Sequence, residues 1–590
     1  MQRIIIKTRY FSVQDLAILF VIATLIYGVS EIAREWQTGY HPITEIDLSI
    51  RSLPYYTLLS GIRGTVAYLI SLTFTLVVGY TAAKSKSAEN LILPALDILQ
   101  SIPVLGFLPG LILGLVALFP HSNFGIELAA IISIFTGQVW NMTFSFYSSL
   151  KSIPTEFMEA ATVMNLTRVQ RFFRMELPFS AVNLAWNSLL SMAGGWFFLI
   201  PCEAMILGNR EFRLPGIGSY MSMAIRQNDQ KAMLFGIIAM VSLIVVMDFV
   251  IWRPVLSWTR RFRIEDVPGA VSVEPLMQIW LRESNIVREV KLFYQHTILP
   301  RKEIFRRIIA PIGRVYQSVA GLGGRFFSRV RYRVRHIRRL RSVRILDLGL
   351  LGLFLASIGY GSFNLLLILF KVSPATWLDL LIDVLCTLLR VLASLTLATL
   401  WAVPAGIWIG ISPKRIRFAQ PLIQIFASFP APMLYPIILG LLFTFHVPYS
   451  IGAMFLMLVG VQWYVLFNVM AGALRIPSQL SDNLALMNIP AWERWKVLYF
   501  PSIFPALVTG WVTAAGGAWN ASVVAEYILY NGEILKTSGL GAAISIAIVN
   551  EDFSLLAASL TLMVFVVVLL NRTVWARIYR IAQTRFRMEA

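Results

Sequence analysis

The feature that most constrains this chain is a series of apolar runs, each about as long as a bilayer's hydrocarbon core is thick. A helix rises about 1.5 Å per residue, so about 20 apolar residues cross a core of about 30 Å. Such runs lie near 13–32, 57–82, 91–119, 124–149, 181–206 and 232–252, and again near 345–371, 382–411, 418–445, 448–474, 505–530 and 553–571. Together they take up about half of the 590-residue chain. Charged residues are 14% of the total against 57% hydrophobic, too few to keep a water-exposed surface free of large apolar patches. The expected fold is an all-α integral membrane protein with twelve transmembrane helices.

Charge sets the expected orientation. The net charge of +20 does not point to nucleic acid, because the basic residues cluster in short segments between apolar runs rather than in a soluble domain. Lys84 and Lys86, then Lys151, Arg168, Arg171 and Arg174, then Arg260, Arg261 and Arg263 mark one side. Lys414, Arg415 and Arg417, then Arg475, Arg494 and Lys496, then the tail from Arg572 to Arg587 continue it. By the positive-inside rule that side and both termini are cytoplasmic. The first run reads as a retained helix, since it is long and lacks a small-residue cleavage site. Residues 254–344 differ from the rest and include nine Arg and no acid between Arg325 and Arg344. They are expected to form a cytoplasmic linker whose basic face rests on anionic lipid headgroups.

The chain is an internal duplication. At an offset of 323 residues Gly137 falls on Gly460, Trp140 on Trp463, Pro154 on Pro477, Asn165 on Asn488 and Pro178 on Pro501. The same offset pairs Glu203 with Glu526, Gly216 with Gly539, Gly218 with Gly541 and Asp229 with Asp552. Upstream the offset becomes 327, pairing Pro94 with Pro421, Pro103 with Pro430 and Pro109 with Pro436. Apolar similarity alone does not align Gly, Pro, Glu and Asp in one register. The organisation is therefore a first six-helix unit over 1–253, the linker over 254–344 and a second unit over 345–590. Six spans per unit give both copies the same orientation, related by an axis along the membrane normal, with a pathway between them.

Polar and helix-breaking residues inside spans are the pathway candidates. Pro103 and Pro430 read either as packing kinks or as pathway lining. Glu203 and Glu526 read either as a gate on the pathway or as acids capped by a neighbouring loop. Asp97, with Gln424 at its partner position, lies mid-span near Gln100. No catalytic constellation accompanies them. The chain has no GxxxxGK[ST] loop, so it is not expected to hydrolyse ATP, and Gly321 to Gly324 lack the required Lys. Its five His show no metal-ligand spacing, and Cys202 and Cys386 sit in apolar runs.

Between the fourth and fifth runs the chain reads Glu159-Ala160-Ala161-Thr162-Val163-Met164-Asn165, then Leu166 to Leu177, then Pro178. Glu156 to Met164 suits a short helix, Asn165 a left-handed stop, and Thr167 to Met175 a second short helix. The segment resembles the EAA loop of binding-protein-dependent ABC importer permeases. The second copy, Asp482-Asn483-Leu484-Ala485-Leu486-Met487-Asn488 and onward to Pro501, keeps the Asn and Pro but loses Glu-Ala-Ala, and both copies have Asn where the family has Gly. Ala193-Gly194-Gly195, Ala515-Gly516-Gly517 and Ser538-Gly539-Leu540-Gly541 are similar to the nitrate, sulfonate, taurine and bicarbonate type.

The resemblance implies a permease subunit in a bacterial or archaeal cytoplasmic membrane. Glu159, Ala160, Ala161, Asn165 and Pro178, with Asp482, Leu484, Asn488 and Pro501, would then couple to two cytoplasmic ATP-binding-cassette ATPases that hold the ATP and magnesium. An external solute-binding protein would deliver a small solute to a pathway that includes Gly194, Gly195, Gly516 and Gly517. Three rivals stand beside it: a secondary transporter with two parallel halves, a non-transport membrane scaffold or sensor using the basic insert, and a ferric-iron type permease, a group in which fused pairs also occur.

Overall fold

The protein is described from a computed structural model over residues 13–37, 40–207, 210–262, 356, 359–474 and 476–585. Most of the linker, including Gly321 to Gly324 and Arg325 to Arg344, lies outside the described residues, as do Arg475 and the start of the seventh run. The chain forms two compact units. The smaller comprises Met1–Thr24 and Glu274–Lys371, described at the start of the helix Val13–Gln37 and in the helix Gly359–Leu369. The larger, Leu25–Val273 with Val372–Ala590, contains both repeats and every site below.

Among the described residues, six helices are long and apolar enough to span a bilayer: Leu53–Lys84, Gln230–Thr259, Pro374–Gly410, Tyr449–Ala473, Ala491–Ala525 and Phe553–Ala582. Two bent helix pairs raise the number to eight. Phe124–Lys151 and Leu177–Phe197 occupy the fourth and fifth expected positions, so with Val13–Gln37 and Gly359–Leu369 the described residues are helical at all twelve. On Pro374–Gly410, Leu378, Leu381, Leu385, Leu389 and Leu392 form an exposed apolar stripe, while Leu380, Val384, Thr387, Val391 and Ser394 are buried on the other face. Such an outward stripe is stable only against lipid.

The repeat is exact in the elements as well as in the residues. At the 323-residue offset Thr155–Val163 matches Ser478–Leu486, Ile217–Arg226 matches Leu540–Val549, and Gln230–Met247 matches Phe553–Leu570. Asp229 and Asp552 cap the last pair identically, each accepting from the N–H groups two and three residues on at 2.9–3.0 Å. Within the first repeat, Phe124–Lys151 and Leu177–Phe197 approach so closely at Gly137 and Gly194 that a Cβ on Gly194 would stand 3.0 Å from the Gly137 carbonyl oxygen.

The structure corrects the expected spans in three ways. The third and ninth runs are not straight: Lys86–Gln100 meets Val104–Leu118 at 96°, and Phe418–Ser428 meets Ala431–Thr444 at 88°. Buried Pro103 and Pro430 sit at these breaks as the N-terminal flanking residues of the second helices, where a missing N–H costs nothing. The fifth and eleventh runs end early, because Ala204–Leu207 pairs with Arg210–Arg213, and Tyr527–Tyr530 with Glu533–Lys536, as antiparallel hairpins. The Asn531-Gly532 turn, with φ of 50° and 82°, is the type I′ signal that alternation with apolar residues had hidden. Finally, the second short helix of each Asn-centred segment runs without a break into the next span through a π-turn, Phe172–Glu176 or Trp495–Tyr499. Pro178 and Pro501 each follow such a turn by two residues. The extra residue of each turn accommodates the missing N–H and the clash that proline imposes on a regular helix.

Candidate functional site

Two matched knobs are the first component. Thr155–Val163 ends in a Schellman arrangement: Asn165 has φ 51°, its N–H reaches the Thr162 carbonyl at 3.0 Å, and Leu166 N–H reaches Ala161 at 3.0 Å. Thr167 and Gln170 then form a reciprocal capping box for the next helix. In the second copy Asn488 has φ 55° and Ile489 N–H reaches the Leu484 carbonyl at 3.1 Å. Both tips present apolar side chains outward: Val163 is 82% and Met164 72% exposed, and their counterparts Leu486 and Met487 are 81% and 72% exposed. Glu159, Ala160, Asn165 and Asn488 are exposed, Ala161 is buried, and Leu484, Pro178 and Pro501 are half-buried. The Asp482 side chain lies outside the described residues.

The knobs are braced differently. Buried Glu176 receives Lys84 Nζ at 2.6 Å and Arg171 Nε at 2.9 Å. Its counterpart is Tyr499, whose hydroxyl meets Ser481 at 2.9 Å, while Arg494 Nε donates to the Ile489 carbonyl at 2.6 Å.

The second component is a cavity of about 170 Å³ between the repeats. Ser101, Ile102 and Val104, at the break of the third span, form one wall. Gly194, Gly516 and Gly517 lie on it, and Asn141, Trp140, Tyr464, Thr513, Asn520 and Asn571 supply polar groups. Among the described residues, no charged side chain lines it. Asn520 Oδ1 accepts the Val104 N–H at 3.0 Å, holding the broken helix of one repeat to the eleventh span of the other.

Other pathway candidates stand behind this wall. Asp97 accepts from Gln100 Nε2 at 3.0 Å, and only Gln100 reaches the lining. Gln424 is buried and donates to Asp248 Oδ1 at 2.6 Å, with Arg253 on the other carboxylate oxygen at 2.7 Å. Gly195 packs against Gln138, and Pro103 and Pro430 shape the breaks without facing the space themselves.

Glu203 and Glu526 are also off the cavity, and their surroundings reveal residues that the sequence reading missed. Arg63, fully buried, donates through Nε and Nη2 to Glu127 at 2.7 Å each and pairs through Nη1 with Glu203. Glu203 also accepts from Ser60 Oγ at 2.7 Å and from Gly218 N–H at 2.7 Å. In the second repeat Arg390 Nη1 meets Glu526 at 2.8 Å, Thr387 Oγ1 lies 2.9 Å from it, and Gly541 N–H donates at 2.9 Å. A Cβ on Gly216 or Gly539 would overlap these carboxylates, so the glycines are needed for close approach rather than for a special φ. The signal was available: Arg63 and Arg390 occupy apolar runs at the 327-residue offset, as do Ser60 and Thr387.

The family model of the binding-protein-dependent transport system inner membrane component matches residues 75–251 and again 402–588. The chain is 26% identical over 174 residues to the putative aliphatic sulfonates transport permease protein SsuC of Bacillus subtilis, a match covering 29% of this chain and 57% of that protein. It is 24% identical over 143 residues to the bicarbonate transport system permease protein CmpB of Synechococcus elongatus, covering 24% and 50%, and 26% identical over 145 residues to CmpB of Synechocystis, covering 25% and 50%. These matches span about half the length of each relative. Two matches to one family model, in the same order as the two structural repeats, mean that this chain belongs to the family of binding-protein-dependent transport system inner membrane components, with two of its units fused in one polypeptide.

Proposed function

We propose that the chain is the membrane-spanning subunit of an ATP-driven importer for a small anionic solute. The observation that carries this reading is the pair of knobs, each turned at a left-handed Asn and each tipped with exposed apolar side chains at equivalent positions. An exposed apolar tip on a rigid, braced lever is a docking surface for a soluble partner. Two cytoplasmic ATP-binding-cassette subunits would take one knob each, bind ATP and magnesium, and draw the knobs together on closure. Because each second short helix continues into a span, a displacement of the knob moves the fifth or eleventh span, and with it Gly194 and Gly516 on the cavity wall. The repeats would then rock between inward-open and outward-open states, while an external solute-binding protein delivers the solute.

The paired acids favour this over proton-driven secondary transport. Glu203 and Glu526 are paired with Arg63 and Arg390 and do not line the cavity, where a coupling charge would have to act. An anion is favoured by the uncharged, donor-bearing lining, by the start of Val104–Leu118 at the wall, and by the anionic solutes in the relatives' names. The basic loops support a cytoplasmic membrane with both termini inside. The test is co-purification followed by uptake. ATPase subunits should bind in equal number to the knobs and be lost from Val163→Asp and Leu486→Asp variants. Uptake that persists without any ATPase and collapses with the proton gradient would overturn the reading.

A further inference from the structure

The first halves of the two broken spans meet the opposite repeat through side chains of exchanged chemistry. Lys86–Gln100 of the first repeat packs against Phe553–Leu570 of the second, and Pro413–Ser428 of the second against Gln230–Met247 of the first. Each contact forms one seam between the repeats. In one seam Gln424 meets Asp248; at the equivalent positions of the other stand Asp97 and Asn571, so carboxylate and carboxamide have changed places. Asp248 and Asn571 each begin a π-turn, Asp248–Trp252 and Asn571–Trp575, a backbone device kept in both copies and frequent at functional positions.

The two seams are in different states. Gln424 and Asp248 are each 6% exposed, and Asp248 accepts Gln424 Nε2 on one oxygen at 2.6 Å and Arg253 Nε on the other at 2.7 Å. Buried and charge-assisted, this is a closed latch. In the other seam Ala576 takes the position of Arg253. Asp97 is half-buried, accepts from Gln100 of its own helix at 3.0 Å, and meets no cation among the described residues. Asn571 stands on the wall of the 170 Å³ cavity and makes no side-chain hydrogen bond among the described residues. At the break this seam is tied by a neutral bond, the Val104 N–H donating to Asn520 Oδ1 at 3.0 Å, which is weaker than a charge-assisted one.

We infer that the repeats swing about one fixed seam: Gln424, Asp248 and Arg253 form the hinge, and Asp97 with Asn571 forms the gate that parts and meets as the pathway opens and closes. In the closed arrangement Asp97 takes the Asn571 amide as Asp248 takes that of Gln424, and releases Gln100. A carboxylate that trades one amide donor for another leaves no buried ion pair broken at either end of the movement, which suits a gate. Asp248 is tied on both oxygens and has no such freedom, which suits a hinge. Why the pathway opens rests on the importer reading; which seam moves does not.

The test is labelling of the full chain in lipid nanodiscs with N-ethylmaleimide, with Cys202→Ser and Cys386→Ala and with no ATPase or solute present. Thr136 lines the cavity, and its repeat-related counterpart Val459 lines a narrower space of about 30 Å³ beside Ala427, three residues on from Gln424. Each is replaced by cysteine in turn as the reporter. Asp97→Gln, Asn571→Asp and Ala576→Arg together copy the latch into the gate. They should slow Thr136→Cys labelling at least about tenfold, the equilibrium worth of one charge-assisted hydrogen bond. Asn571→Asp alone sets two carboxylates against each other and should leave that labelling fast. Gln424→Leu removes the hinge donor and Gln424→Asn shortens it; either should speed Val459→Cys labelling by a similar factor. Thermal unfolding checks that each variant is folded. An unchanged Thr136→Cys rate in the triple variant, or an unchanged Val459→Cys rate in both Gln424 variants, would overturn the inference. Slowing by Asn571→Asp alone to the rate of the triple variant would do the same. Knobs that bind no ATPase, with these rate changes intact, would instead remove the importer reading and leave the hinge standing.

Discussion

Glu526 Oε2 accepts the backbone N–H of Gly541 at 2.9 Å, closing the end of the eleventh span onto the helix Leu540–Val549. Glu203 and Gly218 make the same contact in the first repeat at 2.7 Å. Each acid thereby joins a span, a hairpin and a short helix, and each needs its arginine to be tolerated. The first network carries one more carboxylate than the second, since Arg63 serves both Glu127 and Glu203.

That imbalance predicts an order of damage. Arg63→Met leaves two buried carboxylates unpaired and should cost about 3–5 kcal/mol of stability. Glu127→Gln leaves a one-to-one pair and should cost less, about 1–2 kcal/mol. Thermal unfolding in detergent ranks them; a Glu127→Gln protein less stable than Arg63→Met would contradict the network as described.

The brace under the first knob predicts a difference between the copies. Glu176→Gln strands Lys84 and Arg171 and should cost about 2–3 kcal/mol, whereas Tyr499→Phe loses one hydroxyl contact at about 1 kcal/mol. Limited proteolysis of the two knobs should show the first loosened and the second nearly unchanged.

The left-handed turns predict a glycine effect. Asn165→Ala and Asn488→Ala should each cost about 1–2 kcal/mol, because a Cβ without a local hydrogen-bonding group disfavours that conformation. Asn165→Gly should be neutral within about 0.5 kcal/mol, glycine being free of the penalty. Uptake and unfolding measured together check both.

Orientation is testable by labelling. With Cys202 and Cys386 replaced by serine and alanine, Met164→Cys and Met487→Cys should react with a membrane-impermeant maleimide only in inside-out vesicles. Asn531→Cys should react only in right-side-out vesicles. Labelling of the knobs from outside would reverse the assigned topology and remove the ATPase docking site.

Several features were legible from residues alone, because they depend on near neighbours or on a repeated register. The left-handed Asn165 and Asn488 follow from an apolar helix meeting a residue that can turn it, and the duplication follows from Gly, Pro and Glu at one offset. The right-angle breaks at Pro103 and Pro430 were half-legible: proline marks the place, but packing decides between a mild kink and a turn of 96°. The hairpins at Ala204–Leu207 and Tyr527–Tyr530 were hidden because their apolar residues extend the preceding runs without a change in composition.

The sequence by itself determined two tandem six-helix units, their basic loops and their matched knobs, since span length, loop charge and internal repetition are properties of the linear chain. Only the tertiary structure decided that Glu203 pairs with Arg63, and that Asn520 and Phe197, at equivalent positions of the two repeats, line one cavity together. Those pairings join residues far apart in the chain. They are fixed by which helix faces meet, and a list of apolar runs does not contain that information.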